Sequence, residues 1–152
     1  MELTMNKDTK AQVLRDIVIE LERRLGVLED RITDCCGLSM AQCHAVVELG
    51  RRNNVSLGSL AQSLNLENST VSRTVNNLVN GSLAERTEDS SDRRYVAITL
   101  TEDGRQVYES IENGMNEFFD RIMNRIPEEK QEQVIDSLQV LLEATGSQRC
   151  CK

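Results

Sequence analysis

Two short helical segments followed by a hairpin, all within residues 57–100, constrain the fold of this chain more than any other feature. In the first segment, apolar residues recur at spacings of three and four from Leu57 to Leu64, which predicts a helix with one apolar face. Asn65 interrupts that spacing, and a second helical pattern begins a few residues later. The chain is therefore predicted to turn between two helices that share a core.

Asn68 or Ser69 is predicted to be the N-cap of the second helix, because a short side-chain oxygen can satisfy the free N–H groups there. Gly81 is predicted to end it, where a helix C-terminus favours a left-handed residue. The expected buried stripe comprises Val71, Val75, Leu78 and Val79. The opposite face is polar and carries no acid: Ser69, Thr70, Ser72, Arg73, Asn76 and Asn77.

This polar face has the side chains that nucleic-acid recognition uses. Hydroxyl groups at a helix N-terminus can donate to phosphate. Arg73 can form a forked pair of hydrogen bonds with a guanine edge, and Asn76 or Asn77 can do so with an adenine edge. The alternative is an ordinary amphipathic helix with a solvated face. The segment that follows decides between the two interpretations.

A β-hairpin is predicted over residues 83–100. Its return strand, residues 95–100, alternates and is rich in β-branched side chains, and a polar turn cluster precedes it. Arg93 and Arg94 then lie near the hairpin tip, where an arginine can enter a narrow minor groove. Asp92 is expected to hold one of them in a salt bridge. Two helices joined by a turn, with this hairpin behind them, predict a winged helix-turn-helix that reads DNA.

Motifs along this region resemble the MarR family of bacterial transcription regulators. They are Leu60-Ala61, Ser69-Thr70-Val71-Ser72-Arg73, Leu78, Gly81-Ser82-Leu83, Arg86, Asp92-Arg93-Arg94 and Leu100-Thr101-Glu102-Asp103-Gly104. In one mild departure, Ser82-Leu83-Ala84 replaces the family's commoner Gly-Leu-hydrophobic step. The resemblance implies a homodimer that binds a pseudo-palindromic operator, usually as a repressor released by a small ligand, a metal or thiol oxidation.

Long helical stretches flank the predicted reading region. Residues 9–34 and 104–146 carry apolar side chains every three or four positions, and a small winged domain could not bury stripes of that length. The resemblance implies that both stretches are dimerisation helices around a DNA-binding region at residues 38–103. We therefore expect one MarR-like domain over residues 1–152, mainly α with a small β-wing.

The net charge of −7 argues at first against a nucleic-acid partner. Within residues 51–105, however, seven arginines balance seven acids, so the excess acid lies on the flanking helices. No stretch approaches the ~18 apolar residues of a membrane span. The N-terminus also lacks an apolar signal core. These features predict a cytoplasmic protein with no membrane partner. The resemblance implies that its partners are double-stranded DNA, a second copy of itself and an effector.

Five cysteines raise a second question: Cys35, Cys36, Cys43, Cys150 and Cys151. In a reducing compartment they are not expected to form structural disulfides. One interpretation treats them as small core or incidental residues. The other makes them a thiol sensor at the junction of the first two helices, where soft thiolates could take zinc, copper(I), a trivalent arsenical or an oxidant.

The single histidine, His44, bears on the choice of metal. It could ligate a metal, but a partly buried residue with satisfied hydrogen bonds is the more common situation. Zinc-sensing members of the family use several histidines, so the resemblance disfavours zinc here. No cofactor is required; a thiophilic metal or metalloid is one candidate effector, and the identity of any metal stays open.

An enzyme is not predicted. The chain has one histidine, no Gly-rich phosphate loop and no zincin-type motif, so no nucleophile–base pair or open metal site assembles. Two alternatives to an effector-released repressor stay open. One is a winged-helix protein-interaction module without specific DNA binding, and the other is a MarR-like regulator of an organic ligand with structural cysteines.

Overall fold

A computed structural model describes residues 7–88, 92 and 94–146 of the chain, and within them the side chains of all but residues 7–9 and 27–35. The chain divides into two compact units, residues 1–111 and 112–152. No helix in the described ranges is both long and apolar enough to span a lipid bilayer.

Six helices and three strands make up the described part of the chain. In order they are α1 (Lys7–Cys36), α2 (Met40–Arg51), β1 (Val55–Ser56), α3 (Leu57–Leu64), α4 (Asn68–Asn80), β2 (Ala84–Glu88), β3 (Val96–Leu100), α5 (Glu102–Met123) and α6 (Glu128–Thr145). The strands form one antiparallel sheet in the order β1-β3-β2. The predicted fold class, mainly α with a small β-wing, is therefore confirmed.

The core of the first unit lies between α2, α3, α4 and the sheet. Its largest fully buried side chains are Leu49, Leu60, Leu78, Ile98, Val46, Val71 and Val75. In the sheet, Ile98 of β3 is opposite Val55 on one side and Arg86 on the other. Because α4 packs on this core with one face only, its other face is available to a partner.

The predicted start of α4 was wrong by one residue. The N-cap is Glu67, which makes no side-chain cap hydrogen bond, and Asn68 is already the first helical residue. The backbone N–H of Val71 donates to the Glu67 carbonyl (3.1 Å), which fixes the helix start there. Asn68 and Ser69 therefore lie in the first turn and do not cap it. The backbone N–H groups at this end are left to solvent or to a ligand.

The predicted conformation of Gly81 was also wrong. Gly81 has φ −81°, and the left-handed residue is Ser82 with φ +61°. The Gly81 N–H still donates to the Asn77 carbonyl (3.0 Å), so the chain reverses one residue later. The N–H groups of Ser82 and Leu83 then donate to carbonyls of α4, which ties the wing to the end of the helix.

Candidate nucleic-acid interface

The turn between α3 and α4 sets the angle at which α4 leaves the core. Asn65 caps α3 in the left-handed region (φ +52°), a conformation that asparagine tolerates better than most residues. The backbone N–H of Leu66 then donates to the Ala61 carbonyl (3.0 Å) and closes the turn. The helix-turn-helix geometry is thus held by backbone hydrogen bonds.

Helix α4 presents the predicted polar face. Five of the six predicted side chains are exposed, namely Ser69, Thr70, Arg73, Asn76 and Asn77, while Ser72 is half-buried. The buried face contains Val71, Val75 and Leu78 as predicted, but Val79 is only half-buried. Arg73 therefore extends from a helix that is anchored along its opposite side.

Thr74 was missed as a core residue. It is 7% exposed, and its hydroxyl donates to the Thr70 carbonyl one turn earlier (3.0 Å). The signal was in the sequence, because position 74 lies three residues after Val71 and four before Leu78.

Asn76 is hydrogen-bonded to Arg86, a residue of the family motif for which no contact was predicted. The guanidinium of Arg86, on β2, donates to the Asn76 side-chain carbonyl oxygen. Since arginine only donates, this bond fixes the orientation of the amide. The Asn76 NH₂ group and the second lone pair of its oxygen stay available for a base edge. Arg86 thus connects the wing to the reading face of α4.

We expect the contributions of Asn76 and Arg86 to operator affinity to be coupled. In a double-mutant cycle, Asn76→Ala and Arg86→Ala should be non-additive by about 0.5–3 kcal/mol, because each change removes the same hydrogen bond. Fluorescence anisotropy on operator DNA measures the four dissociation constants. The matched control is a second cycle that combines Asn77→Ala with Arg86→Ala. The energies of that pair should be additive. Additive energies for Asn76 and Arg86 would contradict the assigned role.

Of the two wing arginines, the structure describes Arg94. Arg94 is held by Asp92 through its backbone N–H (3.1 Å) and through a salt bridge of 3.1 Å from Nε to the carboxylate. Its side chain is nevertheless 88% exposed. The predicted pairing of Asp92 with one arginine is therefore confirmed. Arg93 lies outside the described residues.

Arg52 serves a structural purpose near this interface. Its guanidinium donates to the hydroxyls of Ser59 (2.7 Å) and Ser63 (2.6 Å) on α3 and to the carboxylate of Glu48 on α2 (3.1 Å). It therefore joins the C-terminal end of α2 to the first helix of the helix-turn-helix. Because Glu48 offsets its charge, Arg52 adds less positive potential than the sequence suggested.

The structure brings two of the five cysteines together. The sulfur atoms of Cys36, at the end of α1, and Cys43, in the first turn of α2, are 3.5 Å apart. Cys43 is 2% exposed and Cys36 is half-buried. Burial raises the pKa of the Cys43 thiol to about 12, and the hydrogen bond with Cys36 and its nearby charge add to the rise. Cys43 therefore keeps its proton at neutral pH.

The side chain of Cys35 and all of Cys150 and Cys151 lie outside the described residues. His44 is exposed, so the expectation of a partly buried histidine was wrong. It lies on the side of α2 that faces away from the core. Among the residues that the structure describes, no three His, Cys, Asp or Glu side chains are grouped as a metal site would require.

Comparison with known proteins agrees with this geometry. The MarR family model matches residues 38–96. The HTH-type transcriptional regulator BilQ of Clostridium symbiosum is 25% identical over 76% of this chain and 81% of its own length. The HTH-type transcriptional repressor MdtR of Bacillus subtilis is 21% identical over 78% of this chain and 79% of its own. Both relatives are named as regulators of transcription.

Solved structures share the fold. Streptococcus pneumoniae FabT, solved in complex with DNA, superposes with a TM-score of 0.76 at 20% identity, over 88% of this chain and 95% of FabT. The family match covers the helix-turn-helix, strand β2 and Arg94, and it ends at the first residue of β3. Residues 38–96 of this chain therefore match the MarR family of transcription regulators, and the relatives it resembles are named HTH-type transcriptional regulators.

Proposed function

We propose that this regulator acts as a homodimeric repressor on a pseudo-palindromic operator and is released by an effector. The observation that carries the proposal is the pairing of a polar, acid-free reading face on α4 with a helix, α1, whose apolar side chains are exposed. The polar face of α4 is suited to DNA, and the apolar face of α1 is suited to contact with a second copy of the chain.

The apolar face of α1 supports dimerisation. Its exposed large side chains, 39–60% accessible, are Val13, Leu14, Ile17, Val18 and Leu21. In the second unit, α6 has no buried residue and exposes Ile135, Leu138, Val140 and Leu142. Contiguous apolar stripes of this kind mark protein–protein contacts in soluble chains. Helix α1 contains the stretch 9–34 predicted for dimerisation, and α6 lies within the stretch 104–146.

A two-fold dimer explains a palindromic target. Each α4 would enter a major groove, with the two half-sites about one helical turn of DNA apart. Ser69, Thr70 and the N-terminal backbone amides of α4 would contact phosphate. Arg73, Asn76 and Asn77 would contact base edges, with Ser72 beside them. Arg94, braced by Asp92, and Arg93 would reach the flanking minor groove. The likeness of this fold to the DNA-bound FabT structure supports this arrangement.

Repression and release are proposed on separate grounds. Repression is supported by the relative MdtR, whose name describes a transcriptional repressor. Release by a thiol-reactive agent is supported by the closeness of Cys36 and Cys43. An organic ligand, with the cysteines purely structural, is the other effector class. The family match favours DNA binding over a pure protein-interaction module.

The dimer is tested by placing a charge on the apolar face of α1. Ile17, 60% exposed, replaced by glutamate should raise the dimer dissociation constant at least about thirtyfold, because burying an unpaired charge costs 2 kcal/mol or more. Sedimentation velocity measures the monomer fraction, and anisotropy measures operator affinity, which should fall with it.

Gln12→Glu is the matched control, since it adds the same side chain on the opposite side of α1. It should stay dimeric and keep its affinity for the operator. A wild-type protein that sediments as a monomer while binding the operator tightly would contradict the proposed dimer.

A further inference from the structure

The contact between Cys36 and Cys43 suggests a reactive site beyond the family assignment. We propose that the two residues form a reversible dithiol–disulfide couple that a low-molecular-weight disulfide oxidises, and that the oxidised form has reduced affinity for the operator. The second half of this proposal rests on the proposed function as a DNA-binding repressor. The first half concerns the chemistry of the site alone.

The turn between α1 and α2 holds the two sulfur atoms in place. Gly37 adopts φ +66°, which reverses the chain directly after Cys36. Ser39 then caps α2 in a capping box: its hydroxyl accepts from the Gln42 N–H (3.3 Å), and its N–H donates to the Gln42 side chain (2.8 Å). The Cys43 N–H donates to the Ser39 carbonyl (2.9 Å). Both cysteines are therefore positioned by a well-defined turn.

The distance suits a disulfide more than a metal. The sulfur atoms at 3.5 Å must approach to about 2.05 Å, a movement that a change of side-chain torsion can supply. Zinc would need four ligands, and the described residues offer no group of three. Two neighbouring thiols are what oxidation to a disulfide requires.

The reaction has a natural order. Cys36 is the more accessible sulfur, so its thiolate attacks one sulfur of oxidised glutathione. One glutathione leaves and takes up a proton, and Cys36 carries a mixed disulfide. The sulfur of Cys43 then attacks the Cys36 sulfur, giving up its proton as the second glutathione leaves as a thiol. Two cysteine thiols are oxidised and one glutathione disulfide is reduced.

The new bond would act on the geometry of the dimer. It ties the last residue of α1, the proposed dimerisation helix, to the first turn of α2. Helix α2 in turn packs in the core with α3 and α4, where its Val46 and Leu49 are fully buried. A small shift at this junction is carried along the 30-residue α1. Since the DNA fixes the spacing of the two recognition helices, a changed angle at this junction lowers affinity.

The experiment uses the full chain with Cys35, Cys150 and Cys151 replaced by serine, so that only Cys36 and Cys43 remain. Oxidised glutathione should produce an intrachain Cys36–Cys43 disulfide, identified by peptide mass spectrometry and reversed by dithiothreitol. Operator affinity, measured by anisotropy, should fall at least about tenfold on oxidation and return on reduction. The matched control adds Cys36→Ser, and its affinity should not respond to the oxidant.

The outcomes separate the two halves of the proposal. If no Cys36–Cys43 disulfide forms over a range of glutathione potentials, the proposed couple is wrong. If the disulfide forms and operator affinity is unchanged, the regulatory half is wrong. Reduced protein that does not bind the operator overturns the proposed function, while the mass measurement still decides the chemistry. Cys43→Ala, a small apolar replacement at the buried position, should also abolish the disulfide and the response.

Discussion

Replacing Arg73 with alanine is expected to lower operator affinity by about 1–3 kcal/mol for each half-site, or roughly 5- to 150-fold. Arg73 is exposed at the centre of the α4 reading face, and the helix behind it is anchored by Val71, Val75 and Leu78. An arginine in this position can pair with both acceptors of a guanine edge. Anisotropy on the operator and on single-base variants measures the loss and shows which base pair loses its discrimination.

Two controls distinguish base reading from simple charge. Arg73→Lys keeps the charge and loses the fork, so it should lose most of the specific affinity if Arg73 reads a base. Arg125→Ala removes one exposed positive charge from the turn after α5, and it should have little effect on specific binding. If Arg73→Lys binds as tightly as the wild type on every base variant, Arg73 contacts phosphate and the base-reading role is wrong.

The reading region could be predicted because its signals are local. The spacing of apolar residues in α3 and α4, and the alternation in β3, each determine one element without reference to the rest of the chain. The side-chain cap of α2 is equally local, because it needs only Ser39 and, three residues later, Gln42. Helix ends were less certain in α4, because several residues capable of capping follow one another there and tertiary packing selects among them.

Contacts between elements could not be read from the sequence. The bond between Arg86 and Asn76 joins β2 to α4, and its formation depends on how the wing packs against the helix. Similarly, only the packing of α1 on α2 brings the sulfur of Cys36 to the sulfur of Cys43. The hydrogen bonds by which Arg52 joins α2 to α3 have the same origin.

Substituting Gly104 with alanine is expected to destabilise the first unit by at least about 3 kcal/mol. A Cβ atom at Gly104 would lie 1.9 Å from the carbonyl oxygen of Leu83 and 2.9 Å from its carbonyl carbon. That oxygen also accepts the N–H of Thr101 (3.1 Å), and the Thr101 hydroxyl accepts from the Gly104 N–H (3.0 Å). The start of α5 is therefore packed against the backbone that joins α4 to the wing, and neither side can move without breaking these bonds.

Thermal unfolding of the variant should begin about 6–12 °C lower than that of the wild type, since 1 kcal/mol corresponds to roughly 2–4 °C in a chain of this size. Gly114→Ala is the matched control in the same helix, because a Cβ there meets no atom within 4 Å. Alanine is the better helix former, so that variant should be more stable by about 0.5–1 kcal/mol. Equal stability of Gly104→Ala and the wild type would mean that the backbone of Leu83 does not approach α5 as closely as described. Opposite signs for the two glycines of one helix would show that the close approach, and not helix propensity, explains the glycine in the Leu100–Gly104 motif.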